Sequence, residues 1–419
     1  MGDKKPLVKG KLQFIGDFEG GNLGTVKSVN DFEYEISLRH DTNAPKYRLW
    51  FHFKVANCKS GQRVLISITN FSKQRSLFRD GMSPLVCSSS RPRWERLPPK
   101  NCFYYRSAKN NYSYQLSFVF VFDREKDTYA FAYSFPFTYT YQQRLLSELQ
   151  AQELPYVKRH LLCRSVQHRR VDVLTITEPS PNPGRRKPTV MICARVHPGE
   201  TPASYVMAGF LNFITSDHPD AEALRKEVIF VVVPMLNPDG TFLGNYRCCS
   251  LGLDLNRMWD SPSPATEPSL CYTKRLLHEY NKNDNVDVDF FIDIHAHSTA
   301  RSGFLLCNPP TEKDQAGYEK ASLFPRLLGQ HARDFSLDAC KFCTDPCKAG
   351  TGRRAVGEML KNTLCYTLEV SFFPGGLEAS ASHNPTTEEG YMEFGRQTAC
   401  AFVDYYRVRG SADRGLTQS

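Results

Sequence analysis

The sequence has no apolar run that approaches the roughly 20 residues needed to span a membrane, so we expect no transmembrane segment. It also shows no secretory signal, because the opening stretch "MGDKKPLVKGKLQF" has neither an apolar core nor a cleavage signature. Without an export signal and without a membrane span, a chain of this composition is expected to be cytoplasmic.

The 14 cysteines show no pattern typical of a disulfide framework, since the chain is long and has no export signal. Cys340, Cys343 and Cys347 in "CKFCTDPC" have a spacing that could hold a metal, with His331 as a fourth ligand. No second pair with Cys-x-x-Cys spacing is present, however. We therefore favour the alternative that these three are reduced loop residues.

The basic residues exceed the acidic ones, with a formal net charge of +9. No stripe of lysine and arginine interleaved with aromatic residues is visible along the chain, so the sequence does not predict a nucleic acid partner. Small clusters do occur at "RRKP" and "KAGTGRR". A basic surface also suits an acidic protein partner through long-range attraction.

A chain of 419 residues is too long for one ordinary core, so we expect two domains. Residues 1–150 contain short strands such as "YRLWFHFKVAN" and "YQLSFVFVF" between turn-forming residues, which predicts an all-β antiparallel sandwich. Strands and helices alternate in residues 151–408, which predicts an α/β domain with a mixed, mostly parallel sheet flanked by helices. Residues 409–419 are expected to form a loose tail.

Candidate metal ligands follow several predicted strands of the second domain. In "CARVHPGETPASYV", His197 and Glu200 lie between a buried strand and a helix, at the sheet edge where ligands bind in α/β proteins. "FFIDIHAHS" supplies His295 and His297 after another apolar run. Glu369 lies within the apolar run of "YTLEVSF", where a carboxylate needs a partner or a function. Catalytic zinc usually takes three such protein ligands, so the pattern predicts a zinc site.

Six motifs occur in the order seen in zinc carboxypeptidases: "HPGE", "NPDG", "GNYR", "DLNRMW", "DIHAHS" and "YTLEVSF". With "FEGGNL" and "FPFTYT" in the β region, residues 10–408 resemble the cytosolic carboxypeptidase branch of that family. Members of this branch remove glutamates from tubulin and other proteins. The resemblance implies an enzyme of the cytosol, and of microtubule-based structures such as centrioles and cilia. Its implied partners are polyglutamylated tubulin and other glutamate-rich protein tails.

The resemblance also implies the catalytic residues. It places one zinc ion per chain on His197, Glu200 and His295, the first histidine of its motif. Zinc polarises a carbonyl and acidifies a bound water. Glu369 then corresponds to the general base and acid, which takes a proton from water and delivers it to the leaving amine. Arg247 corresponds to the arginine that stabilises the developing oxyanion.

Substrate-binding residues are implied in the same way. Asn256 and Arg257 correspond to the pair that grips the terminal carboxylate of the substrate, for which arginine offers a bidentate fork. Removal of acidic residues also needs a basic specificity pocket, and "KAGTGRR" stands where this branch carries such residues. We expect Arg353 to line that pocket, with Arg354 and Lys348 behind it. The alternative is an ordinary solvated basic loop.

Two other functions compete with the carboxypeptidase. An amidohydrolase of the aspartoacylase or succinylglutamate desuccinylase type shares the histidine and glutamate pattern, although the "GNYR" and "DLNR" spacing and the large β domain count against it. An inactive scaffold on microtubules would be favoured if a metal ligand or Glu369 were missing, but all are present. The mobile tyrosine of the secreted carboxypeptidases has no clear match, and Tyr366 is not an obvious one.

Overall fold

The computed structural model describes residues 10–110, 112–180, 184, 186–310, 314–374 and 387–416. The chain divides into two compact units. The first, called the β unit, contains the residues up to Thr138 together with Gly240–Leu253. The second, called the α/β unit, contains Tyr139–Asp239 and the residues from Asp254 onward. A single boundary near residue 150 cannot represent this division, because Gly240–Leu253 makes its contacts with a part of the chain far from it in sequence.

The described part of the β unit contains ten strands. They are β1 (Gln13–Ile15), β2 (Val26–Asn30), β3 (Glu33–Ile36), β4 (His52–Ala56), β5 (Arg63–Phe71), β6 (Leu85–Ser88), β7 (Arg91–Arg96), β8 (Cys102–Ser107), β9 (Ser113–Val121) and β10 (Tyr129–Ala132).

These strands form two five-stranded sheets, in the orders β1-β4-β10-β6-β7 and β2-β3-β5-β9-β8. Every pairing is antiparallel except that of β3 with β5. This one parallel pair arises because β4, which lies between them in sequence, belongs to the other sheet. The predicted all-β sandwich is confirmed, and the β3–β5 crossover is its departure from a purely antiparallel arrangement.

Aromatic side chains join the two sheets of the β unit. Phe118 on β9 and Phe131 on β10 come from different sheets, and their ring centroids lie 5.5 Å apart. Phe53 on β4 stacks on Phe131. On β5, Val64 and Ile66 are fully buried at alternate positions, as expected when one face of a strand lies against a core.

The described part of the α/β unit contains eight strands. They are β11 (Val157–Arg164), β12 (Arg170–Ile176), β13 (Lys187–Ala194), β14 (Ile229–Val233), β15 (Val286–His297), β16 (Phe304–Cys307), β17 (Lys341–Phe342) and β18 (Leu364–Ser371).

Eight α-helices lie in the described residues, and α4 spans the boundary between the two units. They are α1 (Tyr139–Gln150), α2 (Thr201–Ile214), α3 (Pro219–Glu227), α4 (Pro238–Leu243), α5 (Pro268–Lys282), α6 (Gln315–His331), α7 (Gly352–Met359) and α8 (Glu388–Leu416).

The eight strands of the α/β unit form one mixed sheet in the order β11-β12-β14-β13-β15-β18-β16-β17. Its centre is parallel, because β13 pairs in parallel with β14 and β15, and β15 pairs in parallel with β18. The pairings of β11 with β12, of β12 with β14 and of β16 with β18 are antiparallel, and the edge pairing of β16 with β17 is parallel. The predicted mixed, mostly parallel sheet flanked by helices is confirmed.

Helices α2 and α8 approach each other closely through glycine. A Cβ atom at Gly209 of α2 would lie 1.9 Å from the carbonyl oxygen of Met392 on α8. A Cβ atom at Gly395 of α8 would meet the carbonyl oxygen of Val206 at the same distance. Only glycine permits this backbone contact. The contact fixes the helix that directly follows Glu200.

Helix α8 continues to Leu416, past residue 409, where the sequence predicts a loose tail. The ten residues after Arg409 contain no proline, so each of them has the backbone N–H that a helix needs. The last three residues of the predicted tail lie outside the described residues. None of the described helices is long and apolar enough to cross a membrane.

Candidate active site

A tight turn after β13 carries the first two predicted metal ligands. Arg195, directly after the strand, has a φ of 60°, a left-handed conformation that is uncommon for a residue with a side chain. Its buried guanidinium donates through Nε to the carbonyl oxygen of Pro198 (2.7 Å) and through Nη1 to Oγ of Ser204 (2.8 Å). Arg195 therefore ties the turn that contains His197 and Glu200 to the first turns of α2.

The three predicted metal ligands converge. His197 and Glu200 follow β13, and His295 lies near the end of the adjacent parallel strand β15. Their side chains are buried, and one ligand atom from each lies within 4.8 Å of the other two. Nδ1 of His295 is 2.9 Å from Oε2 of Glu200, and Nδ1 of His197 is 2.9 Å from Oε1. Among the residues that the structure describes, this is the only such group.

Each histidine is held from behind by a carboxylate. Nε2 of His197 lies 3.1 Å from Oδ1 of Asp254, and Nε2 of His295 lies 2.8 Å from Oδ2 of Asp293. An imidazole that donates through Nε2 carries its lone pair on Nδ1. The two Nδ1 atoms face each other at 3.1 Å, so a proton or a metal ion must separate their lone pairs. The donor set therefore fits a zinc ion bound by two Nδ1 atoms and a carboxylate.

The electrostatics of the cluster also favour a positive charge. Burial alone would lower the pKa of His295, but the carboxylates of Asp293 and Glu200 raise it well above its usual range. Burial alone would raise the pKa of Glu200, but His197 and His295 hold it well below the usual range. Glu200 is thus ionised at neutral pH, as a metal ligand must be.

Asn256 and Arg257 lie beside this cluster, in a short 3₁₀ helix (Leu255–Arg257). Oδ1 of Asn256 accepts a hydrogen bond from the backbone N–H of Gly352 (3.0 Å), so its Nδ2 must face Nε2 of His295 (3.1 Å). Nε2 of His295 already donates to Asp293, so it cannot accept a hydrogen bond from Nδ2 of Asn256. Nδ2 is therefore available to an acceptor such as a substrate carboxylate. In the described residues, the guanidinium of the half-buried Arg257 has no carboxylate partner and donates to the carbonyl oxygen of Asn256.

Glu369 lies on β18, in register with His295 on the adjacent parallel strand β15. Register partners in neighbouring strands point to the same face of a sheet. Glu369 is half-exposed, and in the described part of the chain its carboxylate has neither a hydrogen-bond nor an ion-pair partner. A carboxylate placed beside the metal cluster but outside it is suited to act on a water molecule there.

Comparison with known proteins matches both units. The zinc carboxypeptidase family model matches residues 143–299, and the model of the cytosolic carboxypeptidase N-terminal domain matches residues 14–134. Cytosolic carboxypeptidase 6 from Mus musculus is 48% identical over 97% of this chain and 75% of its own length. The Homo sapiens protein of the same name is also 48% identical, over 96% of this chain and 80% of its own length. The chain belongs to the cytosolic carboxypeptidases.

The fold of a zinc carboxypeptidase is shared as well. A metallo-carboxypeptidase from Burkholderia cenocepacia superimposes with a TM-score of 0.82 at 21% identity, covering 95% of this chain and all of that one. The predicted family and enzyme class are therefore confirmed: this cytosolic carboxypeptidase is a zinc carboxypeptidase. Family membership favours a peptidase over the aspartoacylase-type alternative and over an inactive scaffold. The roles of the individual site residues stay predictions.

The predicted carbonyl-polarising residue of this carboxypeptidase, Arg247, belongs to the β unit. The buried carboxylate of Asp41 accepts hydrogen bonds from the backbone N–H groups of Tyr246 (2.7 Å), Arg247 (2.7 Å) and Cys248 (2.8 Å). Burial raises the pKa of Asp41 although these three donors oppose it. Asp41 thus fixes the backbone from which Arg247 projects.

Arg353, predicted to line the specificity pocket, lies in the first turn of α7 and is 1% exposed. Its Nη1 donates to the carbonyl oxygens of Cys307 (2.9 Å) and Cys343 (3.2 Å) and to Oδ1 of Asn308. Its Nε has no partner, and burial lowers its pKa. Arg353 thus joins three segments of the α/β unit through its guanidinium.

The neighbouring cations of the predicted pocket are less buried. Arg354 donates to the carbonyl oxygen of Asp345 (3.1 Å) and lies 3.7 Å from Glu358. Lys348 lies in a short 3₁₀ helix (Pro346–Lys348). Ion pairs in such exposed positions contribute little to stability. Of the predicted basic cluster, Arg353 alone is buried.

The cysteine cluster does not form a metal site in the described residues. Cys340, Cys343 and Cys347 all have free thiols, and they do not belong to a group that could hold a metal. Nε2 of His331 lies 2.7 Å from Oδ2 of Asp404 instead. The interpretation of these cysteines as reduced loop residues stays a prediction. Tyr366 is equally remote from a catalytic role, because its buried hydroxyl donates to a backbone carbonyl on α6.

Several residues that support the site escape prediction from the sequence. Asp254 and Asp293 both lie within the quoted motifs. Asp293 is two residues before His295 on the same strand, and this spacing is a signal that could have predicted its contact with that histidine. Asp41 and Arg195 carry no local signal. The partners of Arg195 depend on the turn after β13. The partners of Asp41 lie in a segment 205 residues away in the chain.

Proposed function

We propose that this carboxypeptidase removes glutamate residues from polyglutamate side chains and from acidic C-termini of tubulin and other proteins. The observation that supports this substrate class is the guanidinium of Arg353. It is buried, its Nε has no partner, and in the described residues no carboxylate pairs with it. A buried charge without a counter-charge is costly, so a substrate carboxylate would relieve that cost.

Two successive contacts connect the residue before Arg353 to the metal cluster. The residue before it, Gly352, donates its backbone N–H to Asn256, whose Nδ2 faces the imidazole of His295. A C-terminal glutamate bound with its main-chain carboxylate at Asn256 and Arg257 would then carry its side-chain carboxylate towards α7. An arginine fork matches a carboxylate in both positions.

Each site residue has a separate role in the proposed reaction. A zinc ion on His197, Glu200 and His295, one per chain, would polarise the scissile carbonyl and acidify water. Glu369 takes a proton from water and later gives it to the leaving amine. Arg257 and Asn256 orient the substrate by its terminal carboxylate, which restricts cleavage to the last residue.

The proposed partners are polyglutamylated tubulin and other glutamate-rich tails, and the proposed location is the cytosol, including microtubule-based structures. The relatives from Mus musculus and Homo sapiens are named cytosolic carboxypeptidase 6, which supports the cytosol.

Mass spectrometry of a polyglutamylated tubulin tail tests the proposal. Incubation with the zinc-loaded protein should remove glutamates one at a time, while the Glu369→Gln variant should leave the tail intact. Unchanged tails with the active wild-type protein would contradict deglutamylation.

A further inference from the structure

The net positive charge of the chain belongs entirely to one unit. The β unit contains 23 lysine and arginine residues against 12 aspartate and glutamate residues, a net charge of +11. The α/β unit contains 30 against 32, a net charge of −2. The unit that holds the metal cluster is thus nearly neutral, and the β unit is the part that attracts an acidic partner over a distance.

Four side chains of the β unit form a stacked array, called the arginine–tyrosine array. Tyr104 on β8 and Tyr114 on β9 stack with ring centroids 5.4 Å apart and planes 16° apart. The guanidinium carbon of Arg79 lies 5.0 Å from the ring centroid of Tyr114 and 5.9 Å from that of Tyr104. The guanidinium carbon of Arg106 lies 5.1 Å from the ring centroid of Tyr114.

The two guanidinium groups of the array are held in place but not neutralised. Arg79 and Arg106 are exposed, and neither forms an ion pair within the part of the chain that the structure describes. Both guanidinium groups also form hydrogen bonds with the side chain of Tyr114: burial alone would raise the pKa of Tyr114, but these contacts lower it. A guanidinium carries five donors, so donors remain for a ligand. The array therefore presents two preoriented cations to solvent.

The array connects to the segment that carries Arg247. The hydroxyl of Tyr104 donates to the carbonyl oxygen of Lys73 (2.6 Å). Nζ of Lys73 donates to the hydroxyl of Tyr246 (2.6 Å) and lies 4.8 Å from the centroid of its ring. Tyr246 directly precedes Arg247, and all of these residues belong to the β unit.

We propose that the arginine–tyrosine array is a secondary binding site for the acidic segment of a peptide substrate, separate from the residue that is removed. This inference rests on the proposed function, which supplies a glutamate-rich substrate. Guanidinium forks recognise carboxylates in a bidentate manner, so successive glutamates suit two fixed arginines.

An acidic peptide fits the array better than a nucleic acid does. Base recognition in single strands relies on aromatic faces that are free to stack. The ring of Tyr114 already stacks on Tyr104 and has two guanidinium groups over it. The sequence alone does not show this interleaving of arginine and aromatic residues, because the members come from three separate segments.

A binding measurement tests the array without catalysis. The probe is a fluorescent oligoglutamate peptide with an amidated C-terminus, and the readout is anisotropy at several salt concentrations. The double variant Arg79→Gln with Arg106→Gln should bind about tenfold more weakly than the wild type, with a smaller salt dependence. The matched control is Arg63→Gln with Arg93→Gln, two exposed arginines of the same unit, which should change binding by less than about twofold.

Kinetics on two substrates complete the test. The double variant should raise KM for a long acidic peptide that ends in glutamate, and leave kcat and the cleavage of a dipeptide unchanged. An equal loss of binding in both double variants would overturn the inference, because general attraction would explain it. A loss on the dipeptide, or tighter binding of an oligothymidine than of the peptide, would overturn it too. If the wild type cleaved no glutamate peptide yet bound the probe through the array, the proposed function would fail and the array would stand.

Discussion

Oδ2 of Asp293 lies 2.8 Å from Nε2 of His295, on the side of the imidazole opposite the Nδ1 that faces Glu200. Both residues lie on β15, two positions apart, and both are buried. The carboxylate fixes the orientation of the ring and makes Nδ1 a better ligand. A residue outside the predicted ligand set thus positions one of the predicted ligands.

Replacing Asp293 by asparagine keeps the shape of the side chain and removes its charge. Zinc affinity should fall by a factor on the order of 10 to 100, because outer partners of ligand histidines contribute that much. A chelator competition measures it. Asp287→Asn, on the same strand but half-exposed and paired with Arg186, serves as the control and should bind zinc normally. Equal affinities for both variants would show that Asp293 does not support the site.

The two histidines of "DIHAHS" should differ in their effect on metal content. His295→Ala should lose most of the zinc, whereas His297→Ala should keep about one zinc per chain. The reason is that Nδ1 of His297 accepts from the backbone N–H of Ala300 (3.1 Å) and lies outside the metal cluster. Elemental analysis of the purified variants gives the answer. Full zinc occupancy in His295→Ala would refute the ligand set.

Glu369→Gln tests the proposed base. The substitution is nearly isosteric, so the protein should remain folded and keep its zinc. Turnover should fall about a hundredfold or more, because glutamine cannot accept the proton of the attacking water. Glu358→Gln, an exposed glutamate of α7, should keep normal turnover. Wild-type turnover in Glu369→Gln would mean that another group is the base.

Arg353 should determine the preference for acidic residues. Arg353→Gln should lower kcat/KM for a peptide ending in glutamate by roughly two to three orders of magnitude, and leave a glutamine-ended peptide nearly unaffected. Arg354→Gln, less buried, is the control and should have a smaller effect.

Because Arg353 also bonds to backbone carbonyls, the melting temperature of its variant should be measured with the kinetics. An equal loss of activity on both peptides would assign Arg353 to the fold instead of to specificity.

Much of this site is visible in the sequence. The "HPGE" turn predicts that His197 and Glu200 leave one strand end together, and the apolar run before His295 predicts a neighbouring strand. Both follow from local periodicity. The pairing of Tyr246, Arg247 and Cys248 with Asp41 does not, since nothing local links positions about 205 residues apart. The same holds for the crossover that makes β3 and β5 parallel.

Contacts between buried polar groups also cannot be predicted from the sequence. The sequence predicts Arg353 as a pocket residue, but burial and its bonds to Cys307 and Cys343 depend on how α7 packs. Local patterns predict which residues form strands and helices, whereas tertiary packing decides which of their polar atoms meet.

Release of the terminal amino acid from three matched peptides tests the central claim most directly. The peptides share one sequence except for the last residue. The first ends in glutamate, the second in glutamine, and the third in glutamate whose main-chain carboxylate is amidated. The zinc-loaded protein should release glutamate from the first far faster than glutamine from the second, and should release nothing from the amide, because Arg257 and Arg353 each need a carboxylate. Equal release from the first two peptides, or cleavage of the amidated one, would contradict a carboxypeptidase that selects acidic residues.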